Sequence, residues 1–75
     1  MPARPRHPMP DFIRKALTAR GLTKAYQARP PYQRNDYIGW ITRARLDATK
    51  KKRLDQMLDE LKDGRLYMKM KWRPR

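Results

Sequence analysis

The sequence has no cysteine, so it can form neither a disulfide staple nor a thiolate metal site. It has one histidine, His7. Set in a Pro-rich stretch with no partner within helical reach, His7 reads as a solvated residue rather than a ligand or a base. No window approaches the roughly 18 consecutive apolar residues of a membrane span. Pro2, Pro5, Pro8 and Pro10 interrupt the place where a signal peptide carries its apolar segment. Cytoplasm is therefore the expected location. There is no Gly-rich phosphate loop, no nucleophile–histidine pair and no metal-ligand cluster. These absences describe a protein that is not an enzyme, needs no cofactor and takes no small-molecule substrate.

What the sequence has in excess is positive charge. Twenty Lys and Arg against seven Asp and Glu give a formal net charge of +13 in 75 residues. Such a balance favours polyanionic partners: nucleic acid, an acidic protein or an anionic membrane surface. It also suits a merely solvated basic surface. A chain this short makes one domain, with a core that supplies only about 3–5 kcal/mol.

Apolar spacing predicts an all-α fold, a small bundle of three to four short helices. Residues 1–9 read as a disordered Pro-rich arm, because closely spaced prolines remove N–H donors. A helical domain is expected over 10–64. Its first helix spans about 10–20, with Phe12, Ile13, Ala16 and Leu17 recurring at helical spacing and Gly21 as its stop. A short helix over 22–29 ends at Pro30-Pro31. Pro31 can open a third helix, 31–45, where Tyr37, Ile41 and Ala44 share a face. Gly39 inside it marks either a close helix crossing or an unremarkable exposed site. Trp40 reads as core. Asp47 is a good N-cap for a fourth helix, 47–62. Leu54, Met57, Leu58 and Leu61 give that helix the strongest apolar stripe in the chain, with Asp55, Asp59 and Glu60 outside it. Asp55, Asp59 and Asp63 fall at i, i+4, i+8. They spread over two turns, so they read as a solvated face rather than a cation site. Residues 65–75 form an aromatic–basic tail, expected to be extended.

The candidate binding residues cluster at the junction of the third and fourth helices. Six cations fall in residues 43–53 against one anion, Asp47. Lys50, Lys51, Lys52 and Arg53 crowd the start of a helix, where the dipole disfavours cations. Helix stability did not select that placement, and a binding function would explain it. The two helices and their short link are loosely like a helix-turn-helix. In that reading Arg43, Arg45, Lys50, Lys51, Lys52 and Arg53 contact phosphates, while Trp72 and Arg73 stack on bases. The expected role of the tail is to lay Leu66, Met68 or Trp72 back over the bundle; the alternative is an aromatic–basic strip that stacks on bases or sits at a membrane interface.

Tyr37, Trp40, Ile41, Ala44 and Arg45, followed by Thr49, Lys50, Arg53 and Leu54, form a further pattern. It resembles the YdeI/OmpD-associated, or bacteriocin-protection, family in its aromatic-x-x-Trp-Ile-x-x-Ala-Arg and Thr-Lys-x-x-Arg-Leu segments. Pro10-Asp11-Phe12 with Ala16-Leu17 is similar to that family's first helix. Asp47-Ala48 and Tyr32 depart from its usual Pro-Glu and Ser. The resemblance implies an all-helical module without established catalysis. Its name implies association with outer-membrane porins and protection against bacteriocins or cationic peptides. An acidic protein or anionic lipid is the partner this second reading predicts.

Overall fold

A computed structural model describes residues 7–73. It contains α1 (Asp11–Arg20), α2 (Thr23–Gln27), α3 (Pro31–Thr42) and α4 (Asp47–Asp63), followed by strands β1 (Leu66–Tyr67) and β2 (Met70–Lys71). The architecture is all-α, with one very small hairpin appended.

Each helix end has a local cause. The Pro10 carbonyl accepts from the Ile13 and Arg14 amides and opens α1. Gly21, at φ 66°, closes it. Its N–H and that of Leu22 donate to the Thr18 and Leu17 carbonyls, a pairing that needs a left-handed residue. Pro30 is extended and Pro31 is the first residue of α3. α3 stops at Thr42, three residues earlier than the spacing predicts. Of its last carbonyls, Gly39 O and Ile41 O accept from the Arg43 and Ala44 amides, and Trp40 O accepts from Arg53 Nη1 at 2.6 Å. The expected Asp47 cap is not used. Leu46 holds the capping position without a side-chain bond, and Asp47 is the first helical residue of α4.

The core joins Ile13 and Leu17 of α1, Tyr26 of α2, Tyr37, Ile38 and Ile41 of α3, and Met57, Leu58 and Leu61 of α4. Fully burying one such side chain contributes about 1.5–3 kcal/mol. Trp40 is half-buried and packs against this cluster.

The ends of the chain differ from expectation. Residues 1–6 of the expected arm lie outside the described residues, but 7–9 are seated on the bundle. The His7 amide donates to Asn35 Oδ1 at 2.9 Å, and Met9 packs on the core. Gly39 is a close approach, made by His7 rather than by a helix: a Cβ there would lie 2.7 Å from His7 Nε2. At the other end, the expected extended tail turns back as an antiparallel hairpin pairing Leu66 with Lys71 and Tyr67 with Met70. Its two turn residues, Met68 and Lys69, have φ of 50° and 64°. A two-residue hairpin loop requires positive φ at both central positions, usually supplied by Asn or Gly. Neither is present, so something must hold this turn.

Candidate interaction site

What holds the turn is Glu60, a residue the apolar spacing had left outside the α4 stripe. It is 3% exposed. Its carboxylate accepts from the Met68 and Lys69 amides, both at 2.8 Å. Tyr37 Oη donates to it at 2.5 Å and Gln56 Nε2 at 3.2 Å. Four donors thus replace the water that a buried carboxylate loses. Burial first, then the bond to Glu60 and its charge, push the Tyr37 phenol well above its ordinary range. Burial also raises Tyr26, with Arg34 opposing.

Beside this carboxylate lies a buried cation. Arg29 donates through Nη1 to Gln33 Oε1 at 3.1 Å and Leu66 O at 2.6 Å, and through Nη2 to Glu60 O at 2.9 Å. It therefore ties α2, α3, α4 and β1 together, and puts positive charge at the negative end of the α4 dipole. Its guanidinium also sits 4.5 Å from the centre of the Trp72 ring. Glu60, Arg29 and Gln33 form a polar core. Only one sequence signal pointed to it: Glu60 stands three residues after Met57 and directly before Leu61.

The eight residues expected to bind divide between the two ends of α4. At its start, the link between α3 and α4 is pinned by buried Ala44, so Arg43 and Arg45 stay exposed on either side. Leu46 follows, 68% exposed. Lys51 and Lys52 are exposed and Lys50 is half-buried. Lys51 Nζ lies 3.5 Å from Asp55 in an open ion pair. Between these lysines is a hollow of about 420 Å³ lined by Phe12, Asp47, Lys50, Lys51 and Leu54. Arg53 is turned inward. It caps Trp40 O and lies 5.4 Å from the centre of the Trp40 ring. Trp72 and Arg73 are at the far end, close to Gly64 and Arg65. α4 has 17 residues, and at about 1.5 Å per residue it holds the two groups some 25 Å apart. Arg43 and Arg45 thus lie in the α3–α4 link and Lys50, Lys51 and Lys52 in the first turns of α4, while Trp72 and Arg73 are separated from them.

Among the described residues, no group of three or more His, Cys, Asp or Glu is placed to hold a metal ion. No helix among them is long and apolar enough to cross a membrane. Residues 7–64 match the family model described as Bacteriocin-protection, YdeI or OmpD-Associated. No curated protein and no solved structure matches the chain.

Proposed function

The chain belongs to the bacteriocin-protection, YdeI or OmpD-associated family, and from that premise we propose that it is a non-catalytic protein-interaction module. Its working surface is the basic α3–α4 junction, and its partner is a protein segment with acidic and apolar side chains. The observation that carries this reading is the mixture of chemistries at the junction. Leu46 is 68% exposed next to Arg45, and Phe12 and Leu54 line a hollow together with Asp47, Lys50 and Lys51. Contact with a phosphate backbone needs cations and polar donors, not exposed apolar side chains such as Leu46 and Phe12. A protein interface combines an apolar centre with a charged rim. The family description, with its words "OmpD-Associated", supports action through a partner protein.

An amide-resolved NMR titration of the whole chain tests it. One arm uses a short peptide alternating Asp and Leu; the other uses a random-sequence DNA duplex. Each is run at low and moderate salt. The expected result is a saturable response to the peptide at Phe12 and residues 43–54 that survives moderate salt. Replacing Leu46 by Asp should weaken it roughly tenfold, the scale of losing one buried apolar anchor. A response to the duplex alone, falling by about 0.9 log units per log unit of salt for each phosphate neutralised, would replace this reading with nucleic-acid binding.

A further inference from the structure

A second feature lies away from the junction, where the α2–α3 link faces the end of the hairpin. There a cleft of about 790 Å³ is lined by Arg29, Arg34, Arg73, Tyr32 and Trp72, with Pro30 and Pro31 at its edge and no Asp or Glu in its lining. That volume falls within the roughly 300–1,000 Å³ of small-ligand clefts.

Four observations characterise this cleft. Arg34 Nε is buried and has no hydrogen-bond partner. Buried donors in folded proteins nearly always have one, so this group calls for an acceptor. Arg29 is 3% exposed, and its three bonded acceptors are neutral: the Gln33 amide oxygen and the Leu66 and Glu60 carbonyls. The Glu60 carboxylate lies beside it and offsets its charge, so the cations that set the potential of the cleft are Arg34 and Arg73. Trp72 is pre-set as a flat wall. Its ring is held by Arg29 at 4.5 Å and its amide donates to Arg65 O at 2.8 Å. α3, starting at Pro31, also turns the positive end of its dipole toward this side.

We propose that this cleft is a binding site for a carboxylate or phosphate oxyanion carried on a small flat group. A guanidinium offers parallel N–H donors that match two oxygens of either anion. Trp72 and Tyr32 supply surfaces for the flat part. The proposal does not rest on the reading of the α3–α4 junction, because none of its residues is shared with it.

The test is an NMR titration of the whole chain with benzoate, phenyl phosphate, inorganic phosphate and neutral benzamide. The two tryptophans give separate indole signals. Saturable shifts are expected for the Trp72 indole and the Gln27 and Arg34 amides with benzoate and phenyl phosphate, while the Trp40 indole stays in place. A stronger response to phenyl phosphate assigns the site to phosphate esters, and the reverse assigns it to carboxylates. Arg34→Gln should weaken binding at least about tenfold, the scale of a lost charge-assisted hydrogen bond. Should that variant unfold, Arg73→Ala, at an exposed position, should bind more weakly with its melting unchanged. Benzamide binding as well as benzoate would overturn the anion assignment. Inorganic phosphate binding as well as phenyl phosphate would overturn the flat-group assignment. The absence of any saturable shift at Trp72 would overturn the site.

Discussion

The two ends of α4 use the same residue types in opposite ways. At the C-terminal end, charge is turned inward. Glu60 and Arg29 are both 3% exposed, and each is surrounded by fixed partners. At the N-terminal end, charge is turned outward, and Arg43, Arg45, Lys51 and Lys52 are exposed. The contrast shows that net charge alone does not count binding groups. Arg29 and Arg53 belong to the +13 surplus, yet both are committed to backbone carbonyls and aromatic rings. What remains for a partner is a smaller set of cations than the net charge suggests.

The sharpest attempt to break this contrast is Glu60→Ala. It strands Tyr37 Oη and two turn amides in a buried site, at a cost of about 3–5 kcal/mol. That equals the whole stability expected of a core this size, about 3–5 kcal/mol. Circular dichroism should show a largely unfolded chain at room temperature. A sharp melt close to that of the parent would mean that the inward charge holds nothing.

Tyr37→Phe is the next largest change. It removes one charge-assisted donor, and chemical denaturation should show a loss of about 1.5–3 kcal/mol. It also predicts a pH effect. Because the folded phenol is raised above the ordinary value of 10.0, Tyr37 leaves stability unchanged below that pH. Above it the unfolded chain releases a proton that the folded chain keeps. Stability is therefore lost as pH rises through the folded value. Denaturation measured at increasing alkalinity should show this decline in the parent and a shallower one in Tyr37→Phe.

Arg53→Ala should cost less, about 1–2 kcal/mol for the lost carbonyl bond and ring contact. It should weaken stability more than peptide binding, since Arg53 faces inward. Arg43→Ala and Arg45→Ala complete the series. Their melts should stay within about 0.5 kcal/mol of the parent, while affinity for the acidic peptide falls. Equal effects of Arg53 and Arg43 on stability would erase the distinction between the two ends.

The helical scaffold was legible because apolar periodicity reports it directly. The Leu54, Met57, Leu58 and Leu61 stripe, Gly21 and the Pro30-Pro31 break all landed where the spacing put them. The polar core was not legible, because a hydrophobic pattern assigns Glu60, Gln33 and Arg29 to solvent by residue type. Glu60 and Arg29 have partners 23 to 37 residues away in sequence, such as Tyr37 for Glu60 and Leu66 for Arg29, and Gln33 is bonded in turn to Arg29. The hairpin was missed because its turn lacks the Asn-Gly signal and is held by a carboxylate that the pattern had assigned to solvent. Of the eight candidate residues, spacing put six in the link before α4 and in its first turns. It could not tell that Arg53 folds inward or that Trp72 and Arg73 lie at the other end.

The anchoring of the hairpin also bears on the order of events as the chain folds. Glu60 meets the turn amides only eight and nine residues along the chain, whereas Arg29 reaches Leu66 across 37. Short separations close small loops and lose little entropy. α4 and its hairpin should therefore assemble as one early unit, with Arg29 docking onto it late. Rapid-mixing experiments would read this as a division of roles. Weakening the Glu60 contacts should slow refolding, and weakening the Arg29 contacts should chiefly hasten unfolding.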